Sequence, residues 1–274
     1  MACAASLPAS PPVARPRARR RGAAPWLAVI APLALVGAWL ATTSIARVFQ
    51  PHQLPSPWQV AAAAAELVRS GELWRHVAAS AARVAAGFSV GATAALVTGT
   101  LVGLSRTVET LIDPTLQVVR NVPSLAWVPF LLLWMGIDEA PKIALIAIGG
   151  FFPVYLNLVT GIRNVDRKLL EVGAVFGLTP IEQVRRIVWP SALPYLLAGM
   201  RIGIGQSWLF LVAAELIAST RGLGYLLIDG QATARPDLML VGILALAGLG
   251  KLSDAGLRWI ERRALGWSDA FEGR

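Results

Sequence analysis

The sequence predicts an all-α integral membrane protein with six transmembrane helices, and three observations predict it. Its 274 residues are 55% hydrophobic and 15% charged, with mean hydropathy +0.60, whereas a soluble domain carries about a quarter charged residues. Apolar stretches long enough to cross roughly 30 Å of hydrocarbon, about 20 helical residues, recur along the chain. The basic residues are unevenly shared between alternate connecting segments, as membrane insertion requires. That placement accounts for a pI near 10.9 and excludes nucleic acid as a partner.

Residues 1–25 form a Pro-, Arg- and Ala-rich tail without hydrophobic periodicity, which reads as disordered. The single cysteine, Cys3, lies in it, so a disulfide framework or a cysteine-built metal site is excluded. The first segment is Trp26–Ala46. Arg19-Arg20-Arg21 before it and Ser44-Ile45-Ala46 at its end resemble a secretory signal, but its length is that of a retained span. A long loop follows over 47–82. Ser56, Pro57 and Gln59 supply an N-cap, an N1 proline and an N3 partner for an Ala-rich helix that Gly71 ends. A short amphipathic stretch, Glu72–Ala82, then reads as a connecting helix at the membrane interface.

The second segment is Arg83–Leu104. Its Gly87-Phe88-Ser89-Val90-Gly91 has the form of a hydrolase nucleophile elbow, but no histidine follows Ser89, as that mechanism needs. Gly87, Gly91, Ala95, Gly99 and Gly103 instead recur every four residues and predict a packing seam for a neighbouring helix. The third segment, Leu116–Gly136, carries Pro123 and Pro129, which predict two kinks. Its polar stretch makes Asn121, Pro123 and Trp127 candidates for a solute pathway. Segments four to six are Pro141–Ile162, Pro194–Ala218 and Leu238–Ile260.

Segment five holds Arg201 and Glu215, which lie about 21 Å apart along a helix and cannot pair with each other. Each is expected to cap a neighbouring helix or bond to freed carbonyls, with Glu215 retained as a pathway candidate because a charge within a bilayer marks function by default. Gln206, Ser207 and Trp208 complete the pathway candidates. His52 and His76 stand without a carboxylate pattern, so neither a metal site nor a cofactor is expected.

Counted across alternate sides, the tail, the loops after segments two and four and the C-terminus hold fifteen Lys and Arg, against six on the other side. Both termini are therefore expected in the cytoplasm.

The loop after segment four is unlike the rest. Glu171–Phe176 reads as a short helix that Gly177 terminates in a left-handed conformation. Thr179, Pro180 and Glu182 then provide a cap, an N1 proline and a capping box for a second helix, which Pro190 is expected to end at Trp189. With Val172, Val175, Phe176 and Leu178 on it, this elbow is an apolar knob that needs a partner groove.

Glu171, Val172, Gly173, Gly177, Ile187 and Pro190 have the spacing of the EAA signature: Glu, two small residues, three more, Gly, nine more, Ile, two more, Pro. The chain thus resembles ABC importer permeases over about residues 76–260, with Val172 and Gly173 where that signature has two alanines. Pro123–Gly136, Phe152-Pro153, Ala214-Glu215 and Gly222-Leu223-Gly224-Tyr225 look like the nitrate, sulfonate and taurine branch. The resemblance implies a type I, MetI-like importer fold with residues 76–260 as its transmembrane domain. The first span with its extracytoplasmic loop (26–75) would precede it and a cytoplasmic tail (261–274) would follow. It also implies that Glu171, Val172, Gly173, Phe176, Gly177, Ile187 and Pro190 couple to a cytoplasmic ATPase, that a second permease copy completes the pathway, and that an extracytoplasmic binding protein delivers a small sulfonate, nitrate or taurine-like solute. No phosphate-loop sequence occurs in the chain, so ATP hydrolysis is assigned to the partner. The competing class, an ion-driven secondary transporter, is expected to show inverted repeats; the segments show no second copy of one another.

Overall fold

A computed structural model describes residues 27–46, 48–50 and 52–266; the basic tail, Trp26, Arg47 and Arg274 lie outside the described residues. All regular structure in them is helical. The chain divides into two units, Met1–Val48 and Phe49–Arg274. The first contains α1 (Leu27–Leu40), continued by a π-helical turn, Ala41–Ile45. Thr42 and Thr43 there bond back to the Trp39 carbonyl at 3.1 and 2.7 Å.

The second unit begins with α2 (Pro57–Ser70). The expected capping box is in place: the Gln59 carbonyl oxygen accepts the Ser56 N–H at 2.8 Å, and Gly71 ends the helix at φ +77°. Next comes α3, running without a break from Glu72 to Leu104. The stretch expected as a separate interfacial helix is thus the first third of one rod. Gly71 supplies the stop before it and nothing between Glu72 and Arg83 breaks a helix, so propagation continues.

The third segment departs further from expectation. Its helix α4 starts at Arg106, capped by Ser105, and ends at Asn121. A 3₁₀ turn, Ser124–Trp127, leads to α5 (Val128–Met135), and the chain turns by 89° between the two helices. Pro123 disfavours helix at Val122 and removes a donor, so the helix stops rather than kinks. Pro129 makes no kink either, because it sits in the first turn of α5, where no intrahelical donor is needed.

The remaining helices are α6 (Glu139–Arg163), α7 (Arg167–Val175), α8 (Pro180–Gln183), α9 (Trp189–Ala218), α10 (Leu223–Ala232) and α11 (Pro236–Ala264). Pro190 does not end the second knob helix. A π-helical turn over Val184–Val188, in which the Trp189 N–H reaches the Val184 carbonyl, carries α8 into α9 as one 38-residue run, Pro180–Ile217. The ring of Pro190 removes the donor that would have faced Arg186, and the wider turn accommodates the loss. Among the described residues, four helices are long and apolar enough to cross a membrane, and a fifth crossing arises if α4 and α5 form one broken span.

Helix α6 is the hub, packed most heavily against α3 and α9. The stripe Gly87, Gly91, Ala95 and Gly99 is buried, and a Cβ added at Gly87 would come within 2.6 Å of Ile146, so α3 and α6 meet nearly backbone to backbone. Around this seam Val154, Tyr155 and Leu158 of α6 are enclosed by Phe88, Val102, Ala192 and Leu196. The Tyr155 hydroxyl donates to Asp113 of α4 at 2.7 Å, satisfying the one polar group that its burial brings inside.

Candidate functional site

Two constellations lie at opposite ends of the α3–α6–α9 core. One end is where α3 and α6 begin and α9 finishes; at the other, α6 runs into the α7–α8 knob.

The knob is fixed by local sequence. Asp166 caps α7 by accepting the Lys168 N–H at 2.9 Å. At its end the Gly177 N–H bonds the Ala174 carbonyl at 2.9 Å and the Leu178 N–H bonds the Gly173 carbonyl at 3.0 Å. This pair of bonds is a Schellman closure, with Gly177 at φ +74° in the region that costs a side chain most. Thr179 then opens α8: its Oγ1 accepts the Glu182 N–H, while Glu182 accepts the Thr179 N–H at 2.9 Å. The Thr179 N–H first, and the Thr179 hydroxyl donating to the same oxygen at 2.9 Å, hold the Glu182 carboxyl below the usual carboxylate range.

Gly173 and Ile187, fourteen positions apart, are brought together, since a Cβ at Gly173 would come within 2.7 Å of the Ile187 methyl. Val175, Phe176 and Ile181 stay more than four-fifths exposed, and Val172 half exposed. Glu171 lies in the middle of α7, because Asp166 starts that helix, so it does not sit at the N-terminus as the sequence suggested. Pro190 is in the first turn of α9.

At the opposite end, a charged cluster is folded into the protein. Arg83 of α3 grips Glu139 of α6 with two bonds, Nε to Oε2 at 2.6 Å and Nη2 to Oε1 at 2.7 Å. Its Nη1 reaches Glu215 of α9 at 2.7 Å and the Arg221 carbonyl at 2.6 Å. Glu215 is fully buried, and it also accepts Ser80 Oγ at 2.8 Å and the Gly224 N–H at 2.7 Å. Ser80 Oγ accepts the Leu223 N–H at 2.8 Å, and His76 Nδ1 accepts the Gly222 N–H at 3.0 Å. The imidazole proton is therefore on Nε2.

The loop Arg221–Tyr225 is thus tied to α3 and α9 through three of its own amides and one carbonyl. Gly222, at φ +129°, lies so close to the Glu215 carboxylate that a Cβ has no room. Above the cluster opens a cleft of about 840 Å³, walled by α3, the start of α6, this loop and Asp229 of α10.

The pathway candidates do not converge. Ser207 is buried against the Ile146 carbonyl, and Trp208 is buried with its Nε1 donating to Ser253 of α11 at 3.1 Å. Gln206, between Ile202 and Leu209, is on the open face of α9. Trp127 lines an apolar hollow of about 300 Å³ with Phe151 and Phe152, while Asn121 and Pro123 are exposed at the break after α4. Arg201 meets Asp254 at 3.0 Å and Glu261 at 3.1 Å, both on α11, so it and Glu215 each pair with neighbouring helices.

Of the charged cluster, the sequence singles out only Glu215. Arg83 carries the signal that finds the rest: a guanidinium inside an apolar segment requires an opposite charge at the same depth. Glu139 and Glu215 stand at the matching ends of α6 and α9.

The described residues thus hold four helices long and apolar enough to cross a membrane, with a short-helix knob at one end of their core and a charged cleft at the other. The chain belongs to the family described as "Binding-protein-dependent transport system inner membrane component", which it matches over residues 87–266. It is 39% identical over 260 residues to the "Putative aliphatic sulfonates transport permease protein SsuC" of Bacillus subtilis (strain 168), covering 94% of this chain and 93% of that protein. The protein of the same description in Escherichia coli (strain K12) is 41% identical over 248 residues, covering 90% and 93%. The E. coli (strain K12) "Taurine transport system permease protein TauC" is 34% identical over 231 residues, covering 82% and 84%. In fold the chain is similar to an inward-facing structure of the MetNI methionine ABC transporter, with TM-score 0.55 at 20% identity over 72% of this chain and 97% of that one. This chain is accordingly the non-catalytic permease subunit of an ABC importer, and the partner ATPase hydrolyses ATP.

Proposed function

We propose that this permease carries a small sulfonate, nitrate or taurine-like solute across the cytoplasmic membrane of a prokaryote, and that the α7–α8 knob is its coupling element. The observation that carries the coupling reading is continuity. The knob is locked by a Schellman closure and a capping box, and α8 passes through the π turn into α9 without a break. A displacement of the knob is therefore handed to a rod whose far end holds Glu215 and the cleft loop. The exposed Val172, Val175, Phe176 and Ile181 supply the apolar surface that an ATPase groove would cover.

In this reading the knob and both termini face the cytoplasm, in accord with the excess of Lys and Arg there. The cleft faces outward, toward a solute-binding protein. Six crossings result if α1 with its π turn and the bent α4–α5 pair each count as one, and a second copy of the chain closes the pathway around the open face of α9. The sulfonate and taurine solutes are those of the relatives' names.

Gly177→Val tests the coupling role. A β-branched residue at φ +74° costs on the order of 1–3 kcal/mol of backbone strain and misdirects the elbow. The variant is expected to insert normally, yet to lose co-purification with the ATPase or the stimulation of hydrolysis by loaded binding protein. Full co-purification together with full stimulation would remove the coupling assignment.

A further inference from the structure

The cleft above the charged cluster separates its charges into two sets. Arg83 is consumed by Glu139 and Glu215, and Glu139 also takes Lys142, from outside the cleft lining, at 3.2 Å. Arg75 and Arg221 also line the cleft, but among the described residues neither guanidinium has a hydrogen-bond or ion-pair partner. The same holds for the carboxylates of Glu72 and Asp229 on the rim. Two free cations and two free anions thus face one cavity of about 840 Å³ whose floor is already neutralised. A cleft built only to attract an anion would not keep two unpaired carboxylates in its wall, since each repels the ligand it should hold. A ligand with charges of both signs satisfies all four.

We propose that this cleft is a solute-binding vestibule of the permease itself, selective for a compact zwitterion carrying an oxyanion head and an ammonium group. The inference rests on the importer-permease reading and goes beyond it by placing selectivity in this chain as well as in the binding protein. Arg75 and Arg221 hold the oxyanion head, for which a planar guanidinium offers paired donors. Glu72 and Asp229 receive the ammonium group. The wall between them on α3, Ala78, Ala79, Ala82 and Ala86, is small enough to leave room for a short aliphatic link. The bonds from Glu215, Ser80 and His76 to the loop amides hold the Arg221 and Asp229 side of the cleft in register with α3.

The test uses the full chain assembled with its ATPase in lipid nanodiscs, without binding protein, and three probes: taurine, ethanesulfonate and ethylamine. Saturation-transfer NMR is expected to show taurine binding about tenfold tighter than either single-charge probe. The pair Arg75→Gln and Arg221→Gln should weaken taurine by at least that factor. The pair Glu72→Gln and Asp229→Asn should bring taurine down to the level of ethanesulfonate while leaving ethanesulfonate unharmed. Equal binding of taurine and ethanesulfonate by the parent, or absence of taurine binding, overturns the proposal. So does a result in which the variants keep taurine and instead lose docking of the binding protein, which would make the cleft a protein-docking surface. ATP-driven uptake by the same complex, with binding protein added, reports on the importer reading separately. An active importer with an indifferent cleft refutes the vestibule alone.

Discussion

Replacing Arg83 with methionine removes a cation that three elements share. In the parent protein Arg83 and Glu215 are almost fully buried, at 4% and 0% exposed, and 2.7 Å apart. The variant leaves Glu215 buried without its counter-charge, for which breaking a buried pair costs about 3–5 kcal/mol. For a chain of this size that corresponds to a fall in melting temperature on the order of 10 °C. Glu139→Gln probes the second ion pair of Arg83 at lower cost, since the Glu139 side chain is 45% exposed and water replaces much of what is lost, leaving about 1 kcal/mol. The double variant Arg83→Met with Glu215→Leu removes both buried charges and should recover a large part of the single-variant loss. The assay is thermal melting of purified protein in one detergent, with hydrogen exchange of the Leu223 and Gly224 amides as the local readout. Melting of Arg83→Met within about 2 °C of the parent, or a double variant less stable than the single, would refute the reasoning.

Three further outcomes follow from the knob and from α9. Because hydrogen bonds hold the Glu182 carboxyl below its unfolded value, the capping-box contribution is complete above the unfolded carboxylate pKa and is lost as pH falls through the folded one. Amide protection in α8 should therefore decline as the pH is taken below about 4, and Glu182→Gln should flatten that decline; an unchanged profile in the variant counts against the capping box as its source. On α9, Gln206→Leu should lower uptake in proteoliposomes severalfold without changing the melting temperature, and unaltered uptake removes that open face from the pathway. Trp208→Ala should instead lower stability by about 3–5 kcal/mol, because its ring is buried and its Nε1 is bonded to Ser253; melting equal to the parent's would contradict that burial.

What the sequence by itself determined is what depends on near neighbours in the chain. Apolar length placed the long helices, and the caps at Ser56, Gly71, Gly177 and Thr179 were legible because each is satisfied within a few residues of itself. The Gly87 to Gly99 stripe was legible because small side chains at one helical spacing can only mean close approach. The knob's signature spacing was legible too, but its physical reason, Ile187 closing over Gly173, belongs to the fold.

The tertiary structure decided the prolines and the charges. Whether a proline kinks, stops or opens a helix depends on what the neighbouring turn can absorb. Pro123 thus stops α4, Pro129 opens α5, and Pro190 is absorbed by a π turn. The partners of Arg83, Glu139 and Glu215 lie 56 and 132 positions apart in the chain. Such pairing is set by which helix ends meet at one depth, a relation between spans that no local pattern encodes.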